Sequence, residues 1–161
     1  MSYTLAGEDP TLTAKMDELK ALAAAEGIVF DTADFGGVRT EADTTRILKY
    51  RDDDHAVYVA ALAKSHPDKA PVVKEIWRPI APFGLSLHNW GCARDVKILK
   101  RPESFSEAEA LRRLGALAPE CGLRWGGTFK KKVDPPHFEL PMTVIDARAR
   151  WDARHPSPTA P

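Results

Sequence analysis

At 161 residues the chain has room for one domain with a real core and little room for a second. Lys plus Arg and Asp plus Glu both number 23, so the net charge is zero and a nucleic-acid binder, which carries a basic excess, is disfavoured. With 43% hydrophobic and 29% charged residues, and no run of about eighteen apolar residues, the composition argues against wholesale disorder and against a membrane-spanning helix.

The opening MSYTLAGEDPTLTAK has no basic region followed by an apolar run, so no secretory signal is expected and synthesis in a cytoplasm follows. A first helix is predicted from Thr11 to Glu26, with Leu12, Met16, Leu19 and Leu22 at helical spacing and Gly27 as its stop. IVFDT predicts a short strand before the turn signal Gly36-Gly37. A second helix starts at the N-cap residue Thr40 and runs towards Ala63, although the polar run RDDDH interrupts its apolar face. Four prolines between Ser65 and Gly84 mark a connecting region with one strand at VVKEIW.

ARDVKIL alternates polar and apolar residues, the mark of a half-buried strand with Asp95 and Lys97 on one side and Val96 and Ile98 on the other. Ser106 and Glu109 form a capping box for a third helix with Leu111, Leu114 and Leu117, stopped near Gly122. LRWGGTF and HFEL read as strands or strand–turn pieces. The expected fold is α+β, a small single domain over 1–150 with helices around an antiparallel sheet, and residues 151–161 form a loose tail.

Chemistry concentrates in two stretches, SLHNWGCARDVKI and DPPHFEL. If HFEL lies beside RDVKI, Asp95 and His137 share a face, and His88 can turn back towards them at Gly91. Two imidazoles and one carboxylate suit a single zinc ion and leave a fourth position open. Asp134 precedes His137 by three residues, and a polyproline segment with three residues per turn would project both to one side. A carboxylate there can accept and return a proton from water whose pKa a metal has lowered. Arg39, between a glycine turn and a helix start, is the candidate for stabilising an oxyanion. His55, His66 and His155 have no such partners and read as ordinary surface or core histidines. Cys92 reads as a small buried residue, a Cys92–Cys121 disulfide stays open, and FKKK reads as a solvated loop.

SLHNWGCARDV resembles the Ser-x-His-x-x-Gly-x-Ala-x-Asp signature of the D-alanyl-D-alanine carboxypeptidase family of zinc metallopeptidases. LRWGGTFKKKVDPPHFEL resembles its second block and GGVRT its upstream Arg-Thr block, in family order. The resemblance implies a Hedgehog/DD-peptidase-like fold, one Zn2+ held in a cleft by His88, Asp95 and His137, Asp134 as general base and Arg39 as transition-state stabiliser. It also places Ser86 and Trp125 at motif positions near the substrate. Two departures stand out: Asp134 occupies a position that is often Glu, as in some endolysins, and Thr44 stands where Gln is common. The implied function is hydrolysis of peptidoglycan stem peptides by a monomer, as an L-alanyl-D-glutamate endopeptidase that reaches the wall after holin-type release. The alternatives are a D-alanyl-D-alanine carboxypeptidase and a non-catalytic zinc module, the last disfavoured by Asp134.

Overall fold

In the computed structural model, which describes residues 6–33, 36–44, 60, 64 and 83–156, the first regular element is helix α1 (Pro10–Ala25). Its start is chemically determined: Asp9 accepts from the Thr11 N–H at 2.9 Å, and Pro10 needs no N–H in the first turn. The predicted stripe is buried, with Ala23 in place of the half-buried Leu22 beside Leu12, Met16 and Leu19. Each of the three large side chains contributes about 1.5–3 kcal/mol by leaving water.

Contacts divide the chain into two units, one of Met1–Arg39 with Ser86–Pro161 and one of Thr40–Leu85. The first holds a four-stranded sheet of β1 (Val29–Thr32), β2 (Ala93–Lys100), β3 (Arg124–Trp125) and β4 (His137–Glu139), in the order β1-β2-β4-β3 with every pair antiparallel. Phe30 stands opposite Ile98, and Asp95 opposite His137. Phe138 and Leu140 fill the core behind β4, as the alternation in HFEL predicts.

Helix α2 (Glu107–Leu117) has the full capping box, with Ser106 and Glu109 each accepting from the other's backbone N–H. A further helix, α3 (Val144–Arg154), was not predicted, and it extends four residues into the segment read as a tail. Thr143 caps it, yet only Ala147 is buried on it, so its apolar face is too thin to register as a periodic stripe. Val144 and Trp151 pack on the core from its side, and charge adds to this: Arg150 and Arg154 both donate to Asp9, whose side chain is fully buried. Next to Asp9, Glu8 pairs through both oxygens with Arg94, which is only 1% exposed on β2.

In the second unit the described residues show Thr40 and Asp43 exchanging backbone-to-side-chain hydrogen bonds of 3.0 and 3.1 Å at the start of a helix. The remainder of the predicted Thr40–Ala63 helix and the VVKEIW strand lie outside the described residues. Among the described residues no helix is long and apolar enough to cross a membrane. His155 and the FKKK lysines are exposed, as expected.

Candidate metal centre

His88 sits on a single 3-10 turn, Leu87–Trp90, fixed at both ends. Ser86 accepts from the His88 N–H at 3.3 Å, and Asn89 returns the bond by accepting from the Ser86 N–H at 3.2 Å. The turn closes at Gly91 with φ 71°, a left-handed conformation that costs a residue with a Cβ. A Cβ there would also lie 2.5 Å from the Gly7 carbonyl oxygen. The segment 36–39 lies alongside: Arg39 donates its N–H to the His88 carbonyl at 3.1 Å, and Asn89 donates to the Arg39 carbonyl at 3.1 Å.

Asp95 and His137 come from β2 and β4, where antiparallel register puts them opposite each other. The three ligand atoms form a nearly equilateral triangle. His88 Nε2 lies 3.1 Å from both Asp95 Oδ1 and His137 Nδ1, and His137 Nδ1 lies 3.0 Å from Asp95 Oδ1. Tetrahedral zinc with bonds of about 2.0–2.2 Å places neighbouring ligand atoms about 3.3–3.6 Å apart, only slightly wider than this triangle.

Both tautomers are fixed from behind. His88 Nδ1 is 3.1 Å from the Gly37 carbonyl, which can only accept, so the proton is on Nδ1 and the lone pair on Nε2. His137 Nε2 lies 2.8 Å from Glu139 Oε2, so the neutral ring keeps its proton on Nε2 and turns Nδ1 to the triangle. Two imidazole nitrogens and a carboxylate oxygen thus converge on one point, and once His137 gives up its proton all three can donate to a cation. Among the described residues, His88, Asp95 and His137 form the group that could hold a metal ion. Asp95 is the most open of them, with 18% of its side chain exposed.

The metal-free electrostatics agree. Burial lowers the His88 pKa, against the pull of Asp95, and keeps its imidazole neutral. Burial pulls His137 down too, but hydrogen bonds to Asp95 and Glu139 outweigh it and raise the group to about 9. Burial pushes Asp95 up, and His88, His137 and Arg39 together hold it well below the usual carboxylate range. A metal entering at neutral pH therefore displaces one proton from His137.

The other predicted residues take distinct positions. Arg39 donates to Asp95 Oδ2 at 2.5 Å and so orients the carboxylate whose other oxygen faces the centre. Asp134 lies three residues before His137, but the expected polyproline segment is instead a tight turn, with the His137 N–H donating to the Asp134 carbonyl at 3.1 Å. Proline at the second position presets such a turn, and the Val96 N–H donates to the Pro136 carbonyl at 3.0 Å, tying the turn to β2. A turn of this kind keeps its end Cα atoms within about 7 Å, so the neighbourhood of Asp134 and His137 survives by a different geometry. Gly126 makes room for it: a Cβ there would lie 2.3 Å from the Asp134 carbonyl oxygen.

Trp125 braces the same turn, its indole N–H donating to the Pro135 carbonyl at 2.6 Å. It also lines a 610 Å³ groove with α2, Val133 and Pro135, to which neither the candidate metal ligands nor Asp134 contributes. Ser86 acts here as the cap that presents His88. Cys92 is buried with its thiol raised to about 11, chiefly by burial; it stays outside the cluster, and both it and Cys121 are free thiols.

Sequence reasoning assigned no role to the Gly37 carbonyl, Glu139 or Arg124. Glu139 was legible, since it shares a strand face with His137 two residues on. The Gly37 carbonyl carries no sequence signal, because any residue offers one.

Residues 81–140 match the family model described as D-alanyl-D-alanine carboxypeptidase, a span that includes His88, Asp95, Asp134 and His137 but not Arg39. No curated protein sequence matches the chain. Among solved structures, the vancomycin resistance D,D-pentapeptidase VanY from a VanB-type cassette, in complex with Zn(II), is similar at 20% identity and a TM-score of 0.57, over 89% of this chain and 78% of that one. VanYB in complex with D-alanine-D-alanine is similar at 19% identity and a TM-score of 0.57, over 91% and 78%. The LD-carboxypeptidase LdcB is similar at 20% identity and a TM-score of 0.53, over 92% and 72%. These likenesses establish the shared fold, and the matched block contains the residues that converge on the metal position. Over residues 81–140 the chain is thus similar to the D-alanyl-D-alanine carboxypeptidase family, and it shares the fold of the zinc-bound VanY structure.

Proposed function

We propose that this peptidase cuts the peptide stems of bacterial peptidoglycan, with the L-alanyl-D-glutamate bond as its target. The observation that carries hydrolysis is the triangle of two oriented imidazoles and Asp95, with Asp134 one turn away. Zinc, when bound, supplies Lewis acidity that polarises a carbonyl and lowers the pKa of water towards neutrality.

In this reading Asp134 takes the proton from water and returns it to the leaving amine. No hydrogen bond or ion pair among the described residues ties down the Asp134 side chain, which suits a group that must exchange a proton. Arg39 holds Asp95 in its ligand orientation and sets a positive charge beside the centre, where negative charge builds on the scissile carbonyl. Stem peptides as substrates are supported by the similar structures, one holding D-alanine-D-alanine and another described through peptidoglycan recognition. The choice of an internal bond rests on the shorter carboxylate at position 134, which resembles that of endolysins.

The second reading is a D-alanyl-D-alanine carboxypeptidase, favoured by the description of the matching family model. One experiment separates the two. Zinc-loaded protein is incubated with intact peptidoglycan, beside an EDTA-treated control, and the products are identified by mass spectrometry. New N-terminal D-glutamate supports the endopeptidase, and free D-alanine alone moves the protein to the second reading. No metal-dependent product would overturn both.

A further inference from the structure

The two histidines of the centre are held by different kinds of partner. Behind His88 stands the backbone carbonyl of Gly37, neutral and beyond the reach of side-chain substitution. Behind His137 stands the carboxylate of Glu139, 2.8 Å from Nε2 and itself buried, at 7% exposure. Strand geometry dictates this pairing, because residues 137 and 139 of β4 share one face. Glu139 is braced in turn: Arg124, opposite it on β3, donates to its second oxygen and also to the Met142 carbonyl at 3.1 Å.

A neutral imidazole can carry its proton on either nitrogen, and only one arrangement leaves the Nδ1 lone pair for a metal. Glu139 captures the Nε2–H and so selects that arrangement. Its negative charge also makes the imidazole more electron-rich, which strengthens Nδ1 as a donor. Without Glu139, a nearly buried N–H would lack an acceptor, and the tautomer carrying its proton on Nδ1 would compete. We infer that Glu139, braced by Arg124, is a positioning residue that fixes the His137 tautomer and thereby sets how tightly the centre holds zinc. The inference rests on the metal-centre reading of His88, Asp95 and His137, and it adds to it a residue that touches neither metal nor substrate.

The test uses the full chain, with zinc affinity measured by competition against a chromophoric chelator for wild type, E139Q and E139A. Glu139→Gln keeps the size and one acceptor oxygen but loses the charge, and its affinity is expected to fall about 10-fold. Glu139→Ala loses the acceptor altogether and is expected to approach a 100-fold loss. Cobalt(II) substitution gives a readout that a merely structural role would not move: the visible bands of E139Q shift from those of wild type at full occupancy. Metal-free unfolding midpoints show whether E139Q retains its fold. Wild-type zinc affinity together with unchanged cobalt bands in E139Q overturns the inference while leaving the metal centre standing. A wild-type chain that takes up no zinc overturns the centre itself, and the inference with it.

Discussion

Arg94 and Asp95 are neighbours on β2 and point to opposite faces of the sheet, and the two charged clusters they anchor are built on opposite logic. On the core side, the buried guanidinium of Arg94 meets both oxygens of Glu8, and Glu8 also accepts from the Thr13 hydroxyl at 2.6 Å. Beside it Asp9 accepts from Arg150, Arg154 and the Thr11 N–H. Donors and acceptors cancel there, and nothing is left over for a ligand. On the other face, two imidazole nitrogens and a carboxylate oxygen confront one another within 3.1 Å. Burial of charge is common to both, so it does not mark function. What marks it is the convergence of three metal-ligating atoms on one point, where a cation can replace the proton they share.

Substitutions on the two faces should therefore fail in different ways. The largest effect belongs to His137→Ala or His88→Ala. Each should bind no zinc in metal analysis of the purified protein and show peptide release no faster than buffer, because two remaining ligands do not make a zinc site. Asp134→Asn comes next: zinc content and fold remain, while the turnover number falls about 10²–10⁴-fold. Near-normal turnover in that variant would remove Asp134 from the role of base.

On the core face, Glu8→Ala leaves Arg94 buried without its partner and should cost about 3–5 kcal/mol in urea unfolding. The folded fraction should keep full zinc affinity. The double change Glu8→Leu with Arg94→Met should recover much of that loss, as uncharged packing replaces the pair. A Glu8 variant that lost zinc affinity without losing stability would show that the two faces are coupled.

The smallest effect is one of pH. Burial pushes the Asp9 carboxyl up, but Arg150, the Thr11 N–H and Arg154 outweigh it and hold the group at about 2, against 3.8 when exposed. Its folded pKa is depressed, so its contribution is complete above about pH 4 and is lost as pH falls towards 2. That contribution is about 2 kcal/mol. The stability difference between wild type and Asp9→Asn, followed by urea titration, should shrink through that window, and a constant difference would show that the ion pairs are not its source.

The structure also shows where local pattern suffices for inference. Alternation put Asp95 and His137 on matching faces of two strands, and the observed register then sets them opposite each other. The caps at Asp9, Ser106 and Gly91 are equally local, each satisfied within a few residues of itself. The Asp134 turn was half legible. Its two prolines signalled a rigid connection, but whether they extend or turn is settled by the bond from the Val96 N–H, which is remote in sequence.

By itself, then, the sequence pointed to the candidate trio and to the turn and strands that carry it, because strand alternation and a glycine turn act over a few residues and leave a readable period. It could not determine that α3 forms, since that helix is docked by Trp151 against Trp90 and by two arginines on Asp9, about 140 residues away in the chain. Nor could it determine which atom stands behind each histidine. A backbone carbonyl from residue 37 and a carboxylate braced from another strand reach their places only when the sheet assembles, and side-chain type alone does not encode the distance between them.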